Sequence, residues 1–125
     1  MAATESLLLV MPDARRRARC GTAFDHAGFR VLHAPTAGIA LTRCEREHPV
    51  VVVTDVLVPG MHGVDIARAL RACASRMHTP LIVGILAPLF DDTDDAAEGI
   101  LFDHLIREPI ALDLLVRDVC DARQR

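Results

Sequence analysis

The sequence predicts an α/β protein, a single doubly wound (βα)5 three-layer sandwich around a five-stranded parallel sheet. Two observations carry this. Five short apolar runs of strand length recur along the 125 residues, and the stretches between them have helical spacing and helix-capping residues. The runs do not alternate apolar with polar, which is the pattern of strands covered by helices on both faces.

"SLLLV", from Ser6, is the first run, and "DARRRARCGTAFDHAG" follows it, opening on a cap at Asp13 and closing at Gly28. "FRVLH" is the second strand. The helix "TAGIALTRCEREH" begins at Thr36 and is stopped by Pro49. "VVVVT" ends against Asp55 and leads into "GVDIARALRACASR", where Val64, Ile66, Ala67, Leu70, Ala74 and Met77 form the apolar stripe and Arg68, Arg71 and Arg76 are left to solvent. "PLIVGIL" is the fourth strand, and "DDTDDAAEGI" (91–100) a short, weakly apolar helix. "FDHLIR" is the fifth strand. "IALDLLVRDVCDARQR" closes the chain with Ile110, Leu114, Leu115, Val119 and Cys120 on its apolar face. Right-handed crossovers and one domain over 1–125 follow, without an output domain.

Composition narrows the function. A formal net charge of -3 gives no footprint for nucleic-acid phosphates, and Arg15, Arg16, Arg17 and Arg19 read as a solvated helix face. No apolar stretch approaches the roughly twenty residues that span a bilayer, and no basic leader precedes the first run. The expectation is a cytoplasmic protein without membrane or direct nucleic-acid partners. Cys20, Cys44, Cys73 and Cys120 are scattered and read as reduced, largely buried thiols. The six histidines form no metal-ligand pair; His62 reads as a solvent-facing helix-start residue, and the acids of "DDTDD" as helix-capping groups.

In a doubly wound sheet the functional crevice lies beyond the carboxyl ends of the strands. Asp55 falls there, with Met11 to Asp13, Ile85 to Ala87 and Arg107 to Pro109. The D-x-x-x-P-G-x-x-G spacing at Asp55, Pro59, Gly60 and Gly63, with "GFRVLHAPTAGIAL" and "EPI" in order around it, resembles the receiver domain of bacterial two-component response regulators, a flavodoxin-like fold. The resemblance covers essentially the whole chain. It implies that Asp55 holds the place of the aspartate that accepts a phosphoryl group from a histidine kinase.

The family's helpers are absent. Met11 and Pro12 stand where two magnesium-binding acids are expected, Ile85 where a Ser or Thr binds a phosphoryl oxygen, and Leu105 at the aromatic switch position. Read back from Pro109, Glu108 stands at the place of the charge-neutralising lysine, an anion that opposes ionisation of Asp55; a register slipped by one residue puts Arg107 there instead. Asp13 either swings toward the site or caps the first helix. Asp55 either caps a turn or keeps a ligand-binding role.

The resemblance therefore implies a degenerate, stand-alone receiver, not an enzyme, that signals by protein contact without magnesium-dependent phosphorylation. Its partner would be a histidine kinase or an output protein, or a second copy in a homodimer through 102–123, where Leu105, Ile110, Leu114 and Leu115 lie beside Arg107, Arg117 and Asp118. No cofactor is expected. One alternative keeps phosphoryl acceptance, with magnesium on Asp13 and Asp55 and Arg107 in place of the lysine. Another is a small-ligand sensor using the same crevice.

Overall fold

The structure, a computed structural model, describes residues 5–61, 63–73, 79–88 and 102–124. Five parallel strands form one sheet in the order β2-β1-β3-β4-β5: β1 (Ser6–Val10), β2 (Arg30–Ala34), β3 (Val51–Asp55), β4 (Leu81–Leu86) and β5 (His104–Arg107). Helices α1 (Ala14–His26), α2 (Ala37–Glu47), α3 (Gly63–Cys73) and α4 (Leu112–Gln124) cover it. The expected helix over 91–100, together with His62, Ala74, Arg76 and Met77, lies outside the described residues.

The helix signals act as their chemistry dictates. The Asp13 carboxylate accepts from the Arg16 amide at 3.1 Å and the Thr36 hydroxyl from the Ile39 amide at 3.3 Å, each satisfying a first-turn donor that the helix leaves open. At the far end of α2, His48 takes a left-handed conformation at φ 47° ahead of Pro49, which cannot continue a helix.

Side chains alternate across the sheet with period two, and this sorts the core into two halves. Leu7, Leu9 and Met11 of the first strand and its exit, with Val51, Val53, Val83, Ile85 and Ile106, pack against Cys20 and Phe24 of α1 and Leu115 and Val119 of α4. Leu8, Val10, Val52, Ile82 and Leu86 face the other way, onto Ala37, Ala40 and Cys44 of α2 and Ile66, Ala67 and Leu70 of α3. Thr54 is the buried polar residue of β3, and its hydroxyl is satisfied by donating to the Asp55 carbonyl at 2.9 Å. Arg71, expected to be left to solvent, is half-buried and pairs with Asp103 at 3.2 Å.

Leu114 corrects the expected apolar face of the last helix. Leu115 and Val119 are the buried positions, whereas Leu114 is 45% exposed. The interface patch read from the sequence shrinks accordingly, because Leu115 belongs to the core and Leu105 is half-buried against the α2–α3 side.

In β4, Gly84 is required by packing. A Cβ there would come within 2.8 Å of the Phe102 ring and 2.9 Å of Leu105. Phe102 is itself buried, so the ring has little room to retreat. Gly84→Ala is expected to cost about 1–3 kcal/mol of stability as an overpacked core site, measured by urea unfolding. An unchanged midpoint would show that the Phe102 side yields freely.

Candidate functional site

Parity decides what meets at the carboxyl edge. Asp55 continues the Val51–Val53 side of β3, Ile85 the Val83 side of β4, and Glu108 the Ile106 side of β5, so all three point toward the α1–α4 layer. Backbone bonds from Val56 to the Ile85 carbonyl (3.0 Å) and from Glu108 to the Leu86 carbonyl (2.8 Å) carry the strand alignment past the strand ends. Asp55 and Glu108 thus stand two strands apart, about 10 Å along the sheet, with buried Ile85 between them.

Arg16 crosses that gap. Its guanidinium donates from one terminal nitrogen to both oxygens of Asp55 at 2.8 Å, and from the other to the Glu108 carboxylate. The side chains are largely withdrawn from solvent, at 29% exposure for Arg16, 19% for Asp55 and 29% for Glu108. Beside it, Arg17 donates to the Met11 carbonyl at 2.7 Å, where β1 runs out. The reading of this arginine cluster as a solvated face is therefore corrected at Arg16 and Arg17. Arg16 lies on the stripe 16–20–24 with buried Cys20 and Phe24, and the Asp13 cap anchors its own amide.

The electrostatics follow. Burial pushes the Asp55 carboxyl above its ordinary value; the hydrogen bond and charge of Arg16 pull it down without fully cancelling that, and the Glu108 charge adds to the rise. For Arg16, burial disfavours the cation, but the bond and charge of Asp55, with Glu108, outweigh it and hold the guanidinium more firmly protonated than usual. Glu108, which from the sequence merely repels Asp55, shares the cation with it.

The other expected site residues are placed as follows. Asp13 lines the cleft while capping α1. Arg107 has the opposite parity to Glu108, and its guanidinium reaches the Ala87 carbonyl at 3.4 Å. Pro59 and Gly60 form an exposed turn, with Gly60 at φ +96° and the Pro59 carbonyl accepting from the Ala37 amide at 3.3 Å. Pro109, joined to Glu108 by a cis peptide, lines an adjoining hollow of about 210 Å³ with Cys20, Ile110 and Leu115. Asp13, Arg16, Asp55, Leu57, Ile85 and Glu108 line the cleft at this edge, of about 270 Å³.

A divalent ion does not fit these residues. Both Asp55 oxygens are engaged by Arg16, Met11 and Pro12 bring no side-chain oxygen, and among the described residues no three His, Cys, Asp or Glu side chains are grouped to hold a metal ion.

The fold is that of response-regulator receiver domains. The chain superposes on the chemotaxis response regulator CheY4 of Vibrio cholerae with a TM-score of 0.84 at 18% identity, over 96% of this chain and 99% of that one. A CheY-like receiver domain protein from Methanospirillum hungatei gives 0.77 at 23% identity, over 97% and 98%. A receiver domain protein of Clostridium thermocellum gives 0.82 at 19% identity, over 97% and 95%. No family model matches the sequence. A curated protein, the cyclic di-GMP phosphodiesterase of Thermotoga maritima, is 27% identical over 112 residues, covering 88% of this chain; the chain spans 28% of that protein's length. Among the described residues no helix is long and apolar enough to cross a membrane.

Arg16→Met should leave two carboxylates facing a site without its cation, costing about 1–3 kcal/mol at pH 7, a figure reduced from that of a fully buried pair because all three groups keep some solvent. The loss should shrink as acid protonates the carboxylates, read by urea unfolding at pH 7 and pH 4.5. Asp55→Asn has the opposite sense. A raised carboxyl means the folded state binds the proton more readily, so the wild type loses stability as pH rises from the ordinary carboxylate value through the folded one. The Asn variant should be no less stable than wild type at pH 7, with the difference closing in acid.

Proposed function

We propose that this protein is an atypical receiver domain that passes a signal by protein contact and not by magnesium-dependent phosphorylation of Asp55. The observation that carries the reading is the Arg16 guanidinium on both Asp55 oxygens. A phosphoryl acceptor must present a free oxygen in line with the donor, with cations and fixed donors ready for the transferred group's oxygens. Here the oxygens are engaged, Ile85 offers no hydroxyl, and Glu108 brings negative charge to the side where the incoming group would need positive.

The domain is not an enzyme on this reading. Its output is a surface, and the last helix, with Leu114 exposed beside Arg117, is the first candidate for contact with a histidine kinase, an output protein or a second copy. Similarity to part of a cyclic di-GMP phosphodiesterase makes an enzyme of that class one kind of output to test. Four free thiols suit a reducing, cytoplasmic setting.

The test is the intact mass of the protein after incubation with magnesium and acetyl phosphate. No addition is expected for the wild type or for Glu108→Lys, which leaves Arg16 on Asp55. The combined variant Met11→Asp, Pro12→Asp, Ile85→Thr, Glu108→Lys and Arg16→Ala, which supplies the missing groups and vacates the carboxylate, is the one expected to accept. A single phosphoryl group on the wild type, lost in Asp55→Asn, would overturn the proposal.

A further inference from the structure

The corner where β1, β3 and β5 end gathers oxygen atoms of the sort that hold hard cations: the two of Asp55, the Glu108 carboxylate, the Met11 carbonyl and, at the rim, Asp13. α1 engages each of these four groups through at least one oxygen. Arg16 takes Asp55 and Glu108, Arg17 takes the Met11 carbonyl, and the Arg16 amide takes Asp13. We infer that Arg16 is a tethered cation that stands in for a divalent ion beside Asp55 and excludes such ions from the cleft. The inference deepens the functional reading above and rests on the same Arg16–Asp55 pair.

Three physical points support it. A guanidinium cannot shed its proton at any pH the protein survives, so the charge beside Asp55 is permanent. The tether also makes its encounter with the carboxylates intramolecular, at an effective concentration in the millimolar range or above, against which a dissolved ion must compete. Finally, a small divalent ion requires about six oxygens at short range, and it could gather them only by stripping Asp55 and Glu108 from Arg16 while meeting that group's positive charge. One planar side chain of single charge thereby bridges two carboxylates carried two strands apart in the sheet.

The exclusion is read by Mn²⁺ broadening of backbone amide signals in a 15N-labelled sample of the whole chain. For the wild type, the Val56 and Leu57 amides should broaden no more than amides elsewhere on the surface. In Arg16→Gln, selective broadening there should set in at a Mn²⁺ concentration about tenfold lower or more, and it should vanish in Arg16→Gln with Asp55→Asn. Selective broadening in the wild type that Asp55→Asn removes would overturn the inference, and this arm depends on no variant of Arg16 folding. A natively folded Arg16→Gln without selective broadening would overturn it as well. Ion exclusion with phosphoryl addition to Asp55 would sink the functional reading alone; Mn²⁺ at Asp55 in a wild type that accepts no phosphoryl group would sink this inference alone.

Discussion

The carboxyl edge of the sheet depends on one guanidinium. Two acids at the ends of β3 and β5 face the same layer, and without a cation their burial would be opposed both by lost solvation and by each other. Arg16 resolves this by lying across Ile85 and donating to both. Because its backbone sits in the first turn of α1, fixed by the Asp13 cap, the same contact fastens α1 to the two strand ends and to the segment that opens α4. The electrostatic pair and the helix packing are therefore one constraint.

Such a pair contributes specificity more surely than stability. The Asp55 carboxyl remains above its ordinary value even with Arg16 on it, so burial outweighs attraction for that group. What the guanidinium fixes is geometry: a planar donor fork admits few arrangements of its partners. At this edge the positive charge is supplied by the chain itself, in the guanidinium of Arg16.

Much of this was legible in the sequence, and the part that was not has an identifiable cause. Unbroken apolar runs and the Asp13, Thr36 and Pro49 boundaries read directly into strands and helices, since capping and periodicity are local. Asp55 and Ile85 were placed at the strand ends by the same logic. Period-two alternation separates Glu108 from Arg107 once Ile106 is seen to face the side of Asp55, but the adjacent Leu105 and Ile106 do not say in the sequence which of them does. Arg16 is hidden in the sequence because four arginines in five residues look like a solvated face. The signal that separates it is its spacing of four from Cys20 and of eight from Phe24, which puts a cation on the buried stripe and demands an anionic partner. That the partner would be a pair of acids two strands apart is a tertiary fact no local pattern contains. The exposure of Leu114 is not legible for a related reason: adjacent leucines on an amphipathic helix do not say which of them faces in.

Arg16 governs the ionisation of Asp55, and the direct measurement is the pH titration of the Asp55 carboxyl carbon by NMR in the wild type and in Arg16→Met. The wild-type midpoint is expected somewhat above that of an ordinary aspartate, with a further rise when Arg16 is replaced, since the bond and charge that pull it down are gone while burial and Glu108 remain. An unchanged or lower midpoint in Arg16→Met would contradict the pairing on which the whole description of the site is built.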